Sequence, residues 1–468
     1  MAISKADFID DALIVRLLNE ARNVPREAAQ RIIKKAGDAK GLAPEEAAVL
    51  LQVDDPDLLA EIYRVASKIK ENIYGRRLVF FAPLYISNYC VNNCVYCGYR
   101  RDNNFRRHRL SRQEIIQEVK VLEDMGHKRL AVECGEDPVN CPIDYVLESI
   151  DTIYSVKEKR GSIRRVNVNI AATTVENYKL LKEAKIGTYI LFQETYHRPT
   201  YAAAHPSGHK SGYDWHTCAM DRAMEGGIDD VGLGVLFGLY DYKYEVMAIL
   251  LHALHLEEVC GVGPHTISVP RLKPAAGMDL NSFPYLVPDA DFKKVVAIIR
   301  LAVPYTGMLI STRERPVFRD ELLSVGISQL SAGSSTGVGG YCKDKMGISE
   351  GDEAPQFKLE DLRSLDEVVR SVCRSGYIPS FCTACYRSGR TGDRFMPLAK
   401  SGEIQNVCQP NAILTFKEFL LDYASPETRQ VGEETIARHL ELVGRQAVAR
   451  EVERRLEQIT GGARDLYF

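Results

Sequence analysis

Apolar positions change their period about seventy-five residues into the chain. Before that point they recur at helical spacing: Leu58, Leu59, Ile62, Tyr63, Val65, Ala66 and Ile69 share one stripe. Pro25, Gly41 to Pro44 and Asp54 to Pro56 punctuate this region, which reads as packing helices without chemistry. From residue 77, short runs rich in Val, Ile, Leu and Phe alternate with amphipathic stretches. Strands are predicted at 77–87, 129–134, 165–171, 188–194, 231–238, 265–272, 308–313 and 327–332. Helices are predicted between them: 111–125, opened by a Ser111–Glu114 capping box, then 143–158, 174–185 and one ending near Gly226. Further helices follow at 244–259, 289–303, 316–325 and, after the last strand, 365–376.

Eight strand–helix units in succession predict a complete (β/α)8 TIM barrel over residues 76–378. A doubly wound open sheet is the competing α/β architecture. An N-terminal helical extension occupies 1–75. From 379 to 468 the pattern is a cysteine-bearing loop and three helices with no strand, predicted as a helical C-terminal domain.

The loop after the first strand carries the densest chemistry: Cys90, Cys94 and Cys97, with Tyr96 before the last. Three thiolates this close can hold three corners of a 4Fe–4S cube and leave one iron open. Zinc is the alternative, but it usually takes four protein ligands, and no fourth lies nearby. A second set stands at Cys382, Cys385 and Cys408, where three cysteines and a histidine around zinc compete with a cluster. The remaining cysteines, Cys134, Cys141, Cys218, Cys260, Cys342 and Cys373, read as small apolar residues.

Barrel enzymes work at the C-terminal ends of their strands. Strand two ends in Glu133-Cys134-Gly135-Glu136, and strand four in Gln193-Glu194-Thr195-Tyr196-His197. Glu194 could accept hydrogen bonds from a ribose or an ammonium group, or be a solvated strand end. Arg222 could pair with a ligand carboxylate or form a surface ion pair. Arg313 and Ser331, ending strands seven and eight, suit the carboxylate of an amino-acid substrate.

Twelve cysteines without an evident export signal at Met1 to Phe8 suggest a reducing, cytoplasmic setting. The net charge of −3 and the absence of a basic stripe argue against nucleic acid as a partner. No stretch is apolar enough to predict a membrane span.

The Cys90–Cys97 loop resembles that of the radical S-adenosylmethionine (SAM) superfamily. The whole chain resembles the HydG family of radical SAM tyrosine lyases, the FeFe-hydrogenase maturases, through both cysteine sets, residues 193–197, Gly263-Pro264-His265 and residues 311–314. The thiamine-pathway tyrosine lyase is similar through the barrel but lacks the C-terminal triad. The resemblance implies SAM on the open iron of the first cluster, with Tyr96, Cys134, Gly135, Glu136, Glu194 and Arg222 around it. It implies hydrogen abstraction from the amino group of L-tyrosine, cleavage of the Cα–Cβ bond, and p-cresol and dehydroglycine as products. It further implies an auxiliary Fe–S cluster on Cys382, Cys385 and Cys408 with a labile fifth iron on His265, where dehydroglycine becomes carbon monoxide and cyanide. An electron donor and the other hydrogenase maturases are the implied partners. A dehydroglycine-only lyase and a non-catalytic Fe–S carrier are the alternatives. Element order places the first cluster at the upper, C-terminal mouth of the barrel. It places His265 and the second triad at the lower mouth, roughly 20–25 Å away at about 3.3 Å per strand residue. A passage lined by small or polar side chains is expected between them.

Overall fold

The computed structural model describes residues 5–158, 161–348 and 354–468. Eight parallel strands close into a barrel: β1 (Arg77–Ser87), β2 (Arg129–Cys134), β3 (Arg165–Asn169), β4 (Tyr189–Ile190), β5 (Val231–Gly234), β6 (Thr266–Ser268), β7 (Gly307–Ile310) and β8 (Gln329–Ser331). Closure comes from β1, which pairs with β2 from Ala82 onward and with β8 over Val79–Phe81. Every residue of β1 is buried, because one face meets the barrel interior and the other the surrounding helices. The barrel, rather than the open sheet, is the architecture.

Helices lie close to their expected limits. Arg112–Met125 is capped by Ser111 and Glu114, and Ile143–Ser155, Val175–Glu183, Tyr242–Cys260, Asp289–Ala302, Pro316–Leu323 and Leu365–Arg374 follow. Among the described residues no helix is long and apolar enough to cross a membrane. One continuous buried core links the N-terminal helices, the outer face of the barrel and the C-terminal helices.

Two expectations need correction. A ninth strand, β9 (Ile378–Ser380), lies where only loop and helix were expected. It pairs with the start of β1, Arg77 opposite Ile378 and Val79 opposite Ser380. Three residues centred on a proline, which has no N–H to donate, carry no readable strand signal. The region after β9 also holds two short helices, Ala384–Arg387 and Met396–Ser401, before the three long ones at Gln405–Asp422, Pro426–Glu441 and Gln446–Thr460.

The second correction concerns strand length. β4 is two residues long, against seven expected, because its ladder to β3 ends at Tyr189. On the other edge, Leu191 N–H and Gln193 N–H still donate to Gly232 and Gly234 carbonyls, at 3.1 and 2.9 Å. The run ends at Glu194, whose φ of 67° breaks extended geometry.

Alternation along the strands fills the barrel interior. Arg77, Val79, Phe81, Pro83 and Tyr85 of β1 share one face, as do Arg129, Ala131 and Glu133 of β2, and Arg165, Asn167 and Asn169 of β3. The first three strands therefore each begin with an arginine at the lower end. Phe81, Ala131 and Leu309 form a small apolar cluster apart from the main core. Ordinary barrels pack their interior with layers of branched apolar side chains; here that packing is reduced to one thin layer.

Candidate active site

Two cavities lie at opposite ends of the barrel. The upper one, about 180 Å³, is walled by strand C-terminal ends and by Cys90, Cys94 and Cys97. Arg107 clamps the cysteine loop. Its guanidinium donates to the carbonyls of Asn88 and Tyr99 at 2.7 Å and of Arg100 at 2.6 Å. The loop is tied to the end of β2 by Val91 N–H to the Glu136 carbonyl, 2.8 Å, and Asn92 Nδ2 to Glu136 Oε2, 2.6 Å. Gly135 packs directly on it: a Cβ there would sit 2.2 Å from the Tyr89 carbonyl oxygen, so only glycine fits.

Burial pushes all three thiols up, Cys97 to about 11. Such thiols stay protonated until a cation displaces the proton, as an iron cluster does. Among the described residues no three His, Cys, Asp or Glu side chains converge tightly enough to hold a single metal ion. The thiols instead ring a cavity, which fits the corners of a larger cluster.

Polar groups face the same space. Glu194 is held in its left-handed conformation by Lys210, whose Nζ lies 2.7 Å from Oε1. Burial lifts the Glu133 carboxyl to about 7, and it accepts from Asn169 Nδ2 at 3.0 Å. The Arg313 guanidinium stacks 3.3 Å from the Phe357 ring centroid and has no hydrogen-bond partner among the described residues. Ser331 Oγ accepts from Thr312 N–H at 3.3 Å. Tyr96 lines the cavity, its hydroxyl 2.8 Å from His205 Nε2. Cys134, expected both as a small apolar residue and, through the resemblance, beside SAM, also lines it and exchanges a thiol hydrogen bond with Cys141.

The lower cavity, about 60 Å³, is lined by Arg77, Arg129, His265, Cys382, Cys385, Tyr386 and Cys408 among others. β9 delivers the Cys382 loop to this end, and Arg129 Nη2 fixes it by donating to the Cys382 carbonyl at 2.9 Å. Hydrogen bonds from Cys408 and Arg390 hold the Cys385 thiol down, at about 6, whereas burial and neighbouring thiols raise Cys382 and Cys408. Burial lowers His265, leaving a neutral imidazole suited to ligation.

The structure thus brings Cys90, Cys94, Cys97, Tyr96, Cys134, Gly135, Glu136, Glu194, Arg313 and Ser331 to one cavity, and His265 with the second triad to the other. Arg222 is not brought to either. Its guanidinium donates to the carbonyls of Thr173, Cys218 and Trp215 and stacks 3.7 Å from the Trp215 ring. Glu314 is likewise committed, to Arg271. Sequence reasoning missed Asn92, Arg107, Lys210, Asp230 and Tyr386. Asn92, inside the Cys90–Cys94 spacing, and Tyr386, directly after Cys385, had a positional signal.

Comparison with known proteins shows what shares this arrangement. Residues 84–253 match the radical SAM superfamily, and 268–378 match the Biotin and Thiamin Synthesis associated domain. The 2-iminoacetate synthase of Salmonella typhimurium is 30% identical over 349 residues, covering 74% of this chain and 89% of that protein. A crystal structure of HydG, a maturase of the [FeFe]-hydrogenase, is 63% identical, with a TM-score of 0.96 over 99% of this chain and 100% of that one. The chain belongs to the HydG family. HydG from Carboxydothermus hydrogenoformans agrees over 96% of this chain and 99% of its own, at 40% identity and a TM-score of 0.82. As a HydG-family maturase the chain is a radical SAM enzyme, and the superfamily's cofactors are a 4Fe–4S cluster and SAM. The likeness to HydG spans nearly the whole chain, whereas that to 2-iminoacetate synthase covers about three quarters of it.

Proposed function

We propose that this chain cleaves the Cα–Cβ bond of L-tyrosine to p-cresol and dehydroglycine in the upper cavity, and that the lower cavity turns dehydroglycine into carbon monoxide and cyanide bound to iron for FeFe-hydrogenase assembly. When bound on Cys90, Cys94 and Cys97, the cluster and SAM supply a 5′-deoxyadenosyl radical. The protein's part is to position and enclose. Backbone groups of Cys134 to Glu136 and the Glu194 carboxylate face SAM beside Tyr96 and bind its polar groups. Arg313, with its donors free, binds the tyrosine carboxylate as a planar fork, and Ser331 lines the same wall. Cleavage inside a buried chamber excludes water from reactive intermediates.

At the lower end, Cys382, Cys385 and Cys408 hold the auxiliary cluster, and His265 holds the fifth iron, which is cargo and leaves with its diatomic ligands. The observation that carries this reading is the second cavity: residues 117 positions apart, His265 and Cys382, line one chamber beneath the barrel. A dehydroglycine-only lyase has no use for it. The other hydrogenase maturases receive the product, and the setting is cytoplasmic. Anaerobic incubation with tyrosine, SAM and a reductant should give 5′-deoxyadenosine, p-cresol and protein-bound carbon monoxide. p-Cresol without carbon monoxide would leave the thiamine-type lyase, and no 5′-deoxyadenosine would leave a cluster carrier.

A further inference from the structure

His265 has two different neighbours on its two ring nitrogens. Nε2 lies 3.2 Å from the Tyr386 hydroxyl, on the side of the lower cavity. Nδ1 lies 3.4 Å from Asp230 Oδ1, behind it. Both backbones are locked into the barrel. His265 N–H donates to Val231 O at 2.9 Å, Gly307 N–H to His265 O at 2.8 Å, and Tyr189 N–H to Asp230 O at 3.1 Å. Asp230 is 2% exposed and His265 9%, so neither is satisfied by bulk water.

Both groups are incomplete. Asp230 Oδ2 and His265 Nδ1 are buried polar atoms without a hydrogen-bond partner among the described residues. Buried polar atoms without partners are rare in folded proteins, so one on each side of the 3.4 Å approach between Nδ1 and Oδ1 calls for a role for the pair. The other groups facing the imidazole are the Phe395 ring at 4.7 Å, Tyr386, and the guanidinium charges of Arg129 and Arg165. Asp230 is the carboxylate among these neighbours.

We infer that Asp230 positions His265. By accepting the Nδ1 proton it fixes the tautomer whose Nε2 lone pair faces the lower cavity, where the Tyr386 hydroxyl covers that lone pair until iron displaces it. A carboxylate only accepts hydrogen bonds, so Nδ1 must carry the hydrogen, and a phenol can then donate to Nε2. Histidine ligands to metals commonly donate their second N–H in this way, and losing the partner weakens metal binding about 10–100-fold. Asp230 also accepts from Gly392 N–H at 3.0 Å, so one side chain ties the histidine's seat to the loop between Cys385 and Cys408. This inference rests on the proposal that His265 holds the fifth iron.

The test uses full-length protein with both clusters reconstituted and ferrous iron as the probe. Iron beyond the two cubes is titrated against a chelator in wild type, His265→Ala, Asp230→Asn and Asp230→Ala. Asn keeps an acceptor for Gly392 while losing the charge. Both Asp230 variants should release the extra iron at roughly 10–100-fold lower chelator concentration than wild type. In 15N-histidine spectra recorded before iron is added, His265 should carry its proton on Nδ1, with the balance moving toward Nε2 in Asp230→Asn. Wild-type retention well above His265→Ala, but matched by both Asp230 variants, would overturn the role of Asp230 alone. Wild type holding no more iron than His265→Ala would overturn the reading beneath it. A wild-type His265 protonated on Nε2 would overturn the inference whatever the iron does.

Discussion

Arg107 shows how much a single side chain can govern at the cysteine loop. Its donors reach carbonyls on both flanks of Cys90 to Cys97, from Asn88 to Asn103. Arg107→Met removes all of them at once, and hydrogen bonds to a charged donor are worth about 1.5–3 kcal/mol each. The variant should keep its helical content, lose iron from the upper site on gel filtration, and make at least about tenfold less 5′-deoxyadenosine on a loss of that size. Unchanged iron retention would show that the loop holds its shape without the clamp. Arg313→Lys tests the substrate wall in the same way. An ammonium group cannot reproduce the planar fork, so tyrosine dependence should weaken by about 1–3 kcal/mol, read as a rise in the half-saturating concentration. An unshifted concentration dependence would remove Arg313 from the tyrosine site. The cysteines and His265 were legible because their type and spacing are rare. Arg107, Lys210 and Asp230 were not, since an arginine, a lysine or an aspartate in a loop looks the same whether it clamps a site or meets solvent. Arg222 misled for the converse reason: the sequence shows a charge but not the three carbonyls that absorb it.

Elements position these residues, and the hardest to read were the shortest. Hydrophobic runs located all eight barrel strands, because a strand buried on both faces needs apolar residues at every step. The first two were drawn to their observed ends, but the upper ends of β3 to β8 were drawn too long, since residues there line a cavity and ladder on one edge only, as at Leu191 and Gln193. β9 went unread although it decides where Cys382 stands. The helix Tyr242–Cys260 shows an element serving the loop beside it. Its buried Glu245 accepts the Thr195 hydroxyl and, at 2.9 Å, Tyr196 N–H, fixing the turn after Glu194. Burial pushes that carboxyl up to about 8, and burial lifts Glu133 and Glu123 to about 7. Each of these groups therefore keeps its proton in the folded chain after the unfolded chain has released it, near 4.5. Below about pH 6.5 the buried histidines His127, His205, His252 and His439, held neutral by burial, work the other way, since the unfolded chain protonates them. From about 6.5 to about 8 the native state binds more protons, and stability falls as pH rises. Urea midpoints measured across that window should decline, and Glu245→Gln should flatten the decline. A midpoint that rises with pH in the wild type would show that these carboxyls ionise freely.

At the scale of the whole molecule, one barrel holds two chambers divided by the layer of Phe81, Ala131 and Leu309. Alternation along β1 puts Val79 on the lower cavity and Phe81 on the upper, so the chambers approach within a side-chain layer of each other. The two cavities share no lining residue, and Phe81 and Leu309 are bulky and apolar, so among the described residues the expected passage of small or polar side chains is not formed. On the proposed function the product of the upper chamber crosses this layer. The account stands on this division of labour, and parallel anaerobic assays of three chains with tyrosine, SAM and a reductant test it most directly. Wild type should yield 5′-deoxyadenosine, p-cresol and carbon monoxide. Cys94→Ala should yield none of them, and Cys382→Ala should keep the first two while losing carbon monoxide. Loss of p-cresol in Cys382→Ala, alongside carbon monoxide, would contradict the account.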